Sequence, residues 1–548
     1  MVSNPTLFFL FLIPCCLANL VVKIHDGEVR GTTFTSPNGR VFYAWRGIPF
    51  GQAPVGKLRF MPPVKALPWS GILDASSDRS SCYTIFDVYF PSLFSSSEDC
   101  LYINVYSPVN VNDVGFSNLP VLFWIYGGAY TIGSGNFSAL DPTPLANEDI
   151  IVVTFNYRIT ALGFLSTQDD VISGNAGIKD QNLALRWTRD NIAFFGGNPN
   201  DITIMGESAG SFSVGYHLVS PKSRGLFKGA IMQSGVSASD FFITHDNAIT
   251  AAYALAKIID PSITTANTTA ELRDVLQTAT PLAIVSAHVA SGLDYRTVLE
   301  PPSEDAFLTH PMLDSIENGD FARVPVIIGH TSEESLTFVN TLENAQALAA
   351  SSDSDPESLI PAMPLQPWVN KRALGEEIKR FYVGDLSFSE NLAEILNWYS
   401  DQLFVRSSYK QALVQSSYSP VYFYQLSFYG SPSQGGLLVP GAGKVGHAAD
   451  LAYLFNTTGM SLQTEADFVT RERMVTLWTN FVKTSNPTPP NSHSDVLKNF
   501  HWEPVSANNF QILDIGDDLQ MTPTRKVTDL VFWDYIWDTY SYRPYNNY

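Results

Sequence analysis

A strand-forming run, Asp201-Ile202-Thr203-Ile204-Met205, passes with no spacer into Gly206-Glu207-Ser208-Ala209-Gly210, and a helix-compatible stretch follows from Ser211 to Leu218. Few folds accommodate that order. A chain that turns from a strand directly into a helix crowds its own backbone, so the positions flanking the apex must be glycine. The serine at the apex is lifted out of the sheet. The helix after it aims its first amides at any negative charge that develops there. Alone, the pentapeptide would also suit an ordinary glycine-rich turn with a capping serine. With a strand before it and a helix after it, Ser208 reads as a nucleophile on a G-x-S-x-G turn.

The rest of the chain points to the same α/β architecture. Residues 121–125, 150–155, 202–205, 230–232, 324–328 and 421–426 are short β-branched or aromatic runs bounded by turn residues, the pattern of strands buried on both faces. Residues 184–194, with Leu185, Trp187 and Ile192, predict a helix packed on that sheet. The Ala-, Ser-, Asp- and Pro-rich stretch 345–368 predicts an irregular surface excursion. Phe532, Trp533, Tyr535, Ile536 and Trp537 predict a docked C-terminal helix. No internal repeat and no interdomain linker is visible, so residues 19–548 are expected to form a single domain.

A second glycine loop follows the strand at 121–125, in Tyr126-Gly127-Gly128-Ala129-Tyr130. Acyl transfer builds charge on a carbonyl oxygen, and backbone N–H groups must point at it. The amides of Gly128, Ala129 and Ala209 are the candidate donors, although paired glycines also occur in plain turns. A serine nucleophile needs a histidine base and a carboxylate behind it, in the chain order Ser, acid, His. Of His330, His447, His493 and His501, His447 sits among small residues after Gly441 and Gly443, where an imidazole can swing into a cleft. His330 would break the order. Glu333 and Glu334 follow the strand at 324–328, and the residue pattern alone does not choose between them.

Residues 1–18 carry no charged side chain, and Leu7 to Ile13 is an apolar run of signal-peptide length, too short to span a bilayer. A cut after Ala18 would remove Cys15 and Cys16, leaving Cys82 and Cys100, either bridged in an oxidising compartment or two free buried thiols. A bridge would be worth roughly 3 kcal/mol. Sequons stand at Asn136, Asn267 and Asn456, each a glycan candidate only if exposed. The expected protein is secreted, with no membrane anchor. Its 33 Lys and Arg against 53 Asp and Glu give a net charge of −20, which repels nucleic acid and anionic lipid.

The motifs together resemble the type-B carboxylesterase/cholinesterase family of α/β hydrolases. Besides the serine turn, the likeness rests on Phe194-Phe195-Gly196-Gly197-Asn198-Pro199, Glu98-Asp99-Cys100-Leu101-Tyr102-Ile103-Asn104, Gly47-Ile48-Pro49-Phe50, Leu58-Arg59-Phe60 and Gly446-His447-Ala448-Ala449-Asp450-Leu451. The resemblance implies an α/β-hydrolase fold, with a large mostly parallel central sheet flanked by helices. It also implies a Cys82–Cys100 bridge and a Ser208, Glu334, His447 triad, with no metal or organic cofactor. The implied activity is secreted hydrolysis of uncharged, hydrophobic esters through an acyl-enzyme, with small-molecule hormone, odorant or xenobiotic esters as candidates. A non-catalytic binding protein or a slow-turnover scavenger is the alternative. The overall look is that of secreted insect esterases. Three departures stand out. Ala129 replaces the usual third glycine of the loop. Glu207 stands where juvenile hormone esterases usually carry Gln. The loop between Cys82 and Cys100 has no tryptophan on which a choline cation could stack. Phe86, Tyr89, Phe90 and Tyr130 are candidates for an aromatic lining.

Overall fold

The computed structural model describes residues 20–548 except 92, 94, 112–117, 242, 244–246, 491–493, 507, 525 and 544–547. The N-terminal segment read as a signal peptide and His493 therefore lie outside the described residues. An 11-stranded sheet organises the chain. Its strands are β1 (Thr32–Thr35), β2 (Val41–Pro49), β3 (Tyr102–Ser107), β4 (Leu119–Ile125), β5 (Ile151–Phe155), β6 (Gly197–Glu207), β7 (Gly229–Gln233), β8 (Val326–Thr331), β9 (Val421–Leu426), β10 (Gln511–Ile515) and β11 (Leu519–Pro523). The order across the sheet is β11-β10-β9-β8-β7-β6-β4-β5-β3-β2-β1. From β10 to β5 neighbouring strands run parallel, and antiparallel strands close both ends.

The central strands match the predicted apolar runs because almost every residue in them is buried. All five residues of β5 and of β7 are inaccessible, as strands covered by helices on both faces require. Each such Val, Ile or Leu side chain removes enough apolar surface from water to contribute about 1.5–3 kcal/mol. The outermost closing strands, β1 and β11, bury little, as in the exposed-to-intermediate pattern of β1, so no apolar run marks them.

Helix α1 (Ala176–Asn191) begins eight residues before the predicted start. Beside Ala176 and Ile178, its first turns bury a run of polar side chains, Lys179 to Asn182. Asp180 pairs with Arg158 at 2.7 Å and Lys179 with Glu300 at 2.5 Å, all four deeply buried, so the hydrophobic period that marks a helix is missing there. Helix α2 (Ala209–Val219) follows β6 with only Ser208 between them, and α3 (Pro281–Ser291) packs over the short helical turn Thr160–Phe164. The 345–368 stretch does lie at the surface, but its first part belongs to a helix, α4 (Leu342–Ser354). Thr341 caps that helix by accepting from the Asn344 amide, a start signal that composition alone hides. Helix α5 (Lys526–Tyr540) docks as expected through Leu530, Trp533, Ile536 and Trp537. Cys82 and Cys100 are bridged. No helix among the described residues is long and apolar enough to cross a membrane.

Candidate active site

Ser208 sits between β6 and α2 with φ 54° and ψ −126°, a conformation that costs free energy for any residue with a side chain. The surrounding backbone holds it there. The Ser208 amide donates to Gln233 O at 2.9 Å, tying the apex to the end of the neighbouring strand β7. The glycines on either side are obligatory. A Cβ on Gly210 would lie 2.0 Å from Ile125 O, and one on Gly206 would lie 2.3 Å from Gly210 O.

The loop after β4 runs alongside. Gly128, Ala129 and Tyr130 all have positive φ, at 101°, 56° and 57°. This left-handed run turns successive N–H groups the same way, a shape that suits an anion. No acceptor among the described residues takes the amides of Gly128 or Ala129. Ala209 opens helix α2, where the amide has no partner within the helix. Ser208, Gly128 and Ala129 line one cavity of about 610 Å3, and Ala129 is exposed.

His447 lines the same cavity from the loop after β9, and Glu334 stands behind it. Glu334 Oε2 lies 2.5 Å from His447 Nδ1, while its Oε1 accepts from Ser234 Oγ at 2.6 Å and from the Thr331 amide at 2.7 Å. Burial would raise the Glu334 pKa, but the His447 ring and these bonds outweigh it and hold the carboxyl below its ordinary value. The neighbouring Glu333 points elsewhere, taking hydrogen bonds from Ser400 Oγ at 2.5 Å and Ser335 Oγ at 3.1 Å. Of the two adjacent glutamates, Glu334 is therefore the one that meets the His447 ring.

The second face of the imidazole is acidic as well. Glu207 Oε1 lies 3.2 Å from His447 Nε2 and takes no hydrogen bond among the described residues. Burial pushes the Glu207 carboxyl up to about 8. Burial lowers the His447 pKa, but Glu207 and Glu334 outweigh it and bring the ring up to about 9. Phe404 stacks on this ring at 4.3 Å with 13° between planes, and Phe338 approaches at 5.4 Å. Phe404 belongs to a π-helical turn, Asp401–Val405, inserted between the helices Leu392–Ser400 and Arg406–Gln415.

The other candidates separate cleanly. His330 is buried, with Nδ1 beside Thr331 O at 2.7 Å and its ring against Tyr409 and Phe423, so it is a packing residue. His501 is largely exposed beside Glu503. Phe86 and Tyr89 line the cavity, as expected. Tyr130 does not. It is fully buried, stacked on Phe164, with its hydroxyl donating to Ala209 O at 2.9 Å, and so braces the serine turn from behind. Phe90 lies on the outer surface and is not part of the lining. Asn136 is buried and its amide nitrogen donates to Arg79 O at 2.8 Å, so it fails the exposure that a glycan needs. The Asn456 amide donates to Asp141 at 2.9 Å from a half-buried position, and Asn267 lies in a turn among exposed residues. Sequence reasoning missed Phe338, Phe404 and His288 as lining residues, and no local pattern marks them, since distant segments bring them together.

A sheet of this order, with a serine on the turn between a central parallel strand and its helix, defines an α/β hydrolase. The model of the carboxylesterase family matches residues 18–533. A carboxylic ester hydrolase of Bombus ignitus is 32% identical over 537 residues, covering 94% of each chain. A juvenile hormone esterase of Tribolium castaneum is 32% identical over 523 residues, covering 90% of this chain and 87% of that one. Among solved structures, the juvenile hormone esterase of Manduca sexta, with OTFP covalently attached, matches with a TM-score of 0.81 at 28% identity, over 94% of this chain and 99% of that chain. The chain belongs to the carboxylesterase family and is a carboxylic ester hydrolase of α/β-hydrolase fold, a family whose substrates are small-molecule esters.

Proposed function

We propose that residues 19–548 form one hydrolase domain in which Ser208, His447 and Glu334 cleave uncharged, hydrophobic esters through an acyl-enzyme. The observation that carries this reading is the Glu334–His447 pair at 2.5 Å, placed in the same cavity as Ser208 and the unpaired amides of Gly128 and Ala129. Ser208 Oγ attacks the carbonyl carbon while His447 Nε2 takes its proton. The negative oxygen is held by the amides of Gly128, Ala129 and Ala209, and the imidazolium by Glu334. His447 then gives the proton to the leaving alcohol. Water attacks the acyl-serine with His447 again as base, which releases the acid and restores the serine. The apolar side chains of Phe86, Phe241, Leu293, Phe338 and Phe404 around the cavity favour uncharged esters. A covalently attached compound in the Manduca sexta relative supports the covalent route. The buried bridge between Cys82 and Cys100 suits a secreted protein.

Burst kinetics with a p-nitrophenyl ester series test the reading, alongside stoichiometric titration with an organophosphate. The expected result is one equivalent of burst followed by steady turnover. A burst without turnover would favour a scavenger, and neither burst nor labelling would leave a binding protein.

Glu207 sets the pH at which the base works. Its carboxylate stabilises protonated His447, so removing the charge lowers the His447 pKa. Glu207→Gln should move the acid limb of the kcat/KM profile to lower pH, by about one unit or more. An unmoved or upward-shifted limb would show that Glu207 does not govern the base.

A further inference from the structure

The cavity holds a histidine that the proposed mechanism does not use. His288, near the C-terminal end of α3, lines the cavity and is otherwise buried. Its Nδ1 lies 3.2 Å from the Ala161 amide nitrogen. A backbone N–H can only donate, so Nδ1 must accept, and the proton of the neutral ring must sit on Nε2. Nε2 has no protein partner among the described residues, yet it is not sealed in the interior. Tyr295 packs edge-on against the ring at 4.6 Å and limits its rotation.

The anchoring is tight. Thr160 donates its amide to Tyr130 O at 2.6 Å, and the next amide, Ala161, donates to His288. Thr160 itself has φ 60°, a strained value for a β-branched residue, and is fully buried. One strained turn thus braces the end of the glycine loop and fixes the imidazole beside it. Burial pushes the His288 pKa down to about 4, with a small opposing effect of Asp294, so the ring is neutral at pH 7. The other strong donor away from the serine is Arg296, which already pairs with Asp294 at 2.7 Å.

We propose that His288 Nε2–H is a specificity-determining donor that selects esters bearing a second oxygen acceptor, such as an ether, ketone or further carbonyl, away from the scissile bond. A bulk-apolar cavity accepts any hydrophobic chain of the right size. A fixed donor within it discriminates, because an all-carbon chain leaves the N–H stripped of water and unpaired. The inference rests on the esterase reading above and refines its substrate class.

The test uses hexyl hexanoate and a series in which each chain methylene not bonded directly to the ester group, on the acyl and then the alcohol side, is replaced in turn by oxygen. The quantity read is the kcat/KM of each oxa-ester relative to the all-carbon parent in the same preparation, so the fraction of active enzyme cancels. In the wild type at least one oxygen position should stand out above its neighbours. His288→Phe and His288→Leu should lower the ratio at that position by about 5- to 10-fold. His288→Gln, which keeps a donor, should retain most of it. Ratios unchanged from wild type in both apolar variants, or a wild type with no preferred position, would overturn the assignment. A wild type that fails to hydrolyse the parent would instead sink the esterase reading. Should the apolar variants not fold, NMR of 15N-histidine-labelled wild type decides: a His288 ring protonated on Nε2 supports the assignment, and one protonated on Nδ1 overturns it.

Discussion

Ser208→Ala should lower kcat for a p-nitrophenyl ester by about a million-fold while leaving the thermal midpoint almost unchanged. Both halves follow from the turn. The side-chain oxygen has no protein partner among the described residues, so its removal orphans no group in the core. The unusual backbone angles are held by the Ser208 amide on Gln233 O and by the close approach of Gly206 and Gly210, none of which involves the hydroxyl. Loss of a hydroxyl that has no protein partner leaves no buried group without its hydrogen bond and should cost about 1 kcal/mol or less. Without the oxygen no acyl-enzyme forms, and only the contribution of the loop amides remains. Substantial hydrolysis by a folded, pure Ser208→Ala protein would remove Ser208 from the mechanism. A large drop in melting temperature would show that the hydroxyl holds the turn after all.

Glu334→Gln should cost about 10,000-fold in kcat, for a reason that shape does not reveal. Gln has almost the volume of Glu. On the side away from the histidine, two donors, Ser234 Oγ and the Thr331 amide, demand an acceptor. The glutamine carbonyl satisfies them, which turns its NH2 toward His447 Nδ1. Nδ1 must then accept, the imidazole proton moves to Nε2, and the nitrogen that should take a proton from Ser208 already carries one. The neighbouring Glu333→Gln is the control, because that carboxylate faces Ser400 and Ser335 instead of the ring. It should cost less than about tenfold, as a packing change would. Comparable losses in the two variants would mean that the ring is not oriented by Glu334 alone.

The sequence made the serine turn and the central strands legible because each is local. The G-x-S-x-G spacing reports a steric clash between atoms a few residues apart, and the buried runs report their own surroundings. His447 stood out through its small neighbours, and its ring lines the cavity that Ser208 also lines. For the acid, the residue pattern left two adjacent glutamates open and the family resemblance pointed to Glu334; in the fold Glu334 meets the His447 ring, while Glu333 meets Ser400. Where the buried face is polar, hydrophobic periodicity fails. The start of α1 is the example, its Lys179 and Asp180 neutralised by Glu300 and Arg158 far away in the chain. Tyr130 shows the opposite error: an aromatic residue beside the glycine loop suggests a cavity wall, but its left-handed φ turns it inward under the serine. Phe404 and His288 reach the cavity from segments far from Ser208 in sequence, and nothing in their immediate neighbours records the destination.

The π-helical turn at Asp401–Val405 carries a different kind of information. A π turn accommodates one more residue than the α turn it replaces, and one residue of an α-helix corresponds to about 100° of rotation. The ring of Phe404 lies flat on the imidazole of His447 only because the run from Leu392 to Gln415 contains that surplus residue. The back wall of the histidine is thus a matter of counting: it depends on how many residues the segment has, and deleting one residue ahead of Phe404 should swing its ring away by about 100° although Phe404 itself is kept.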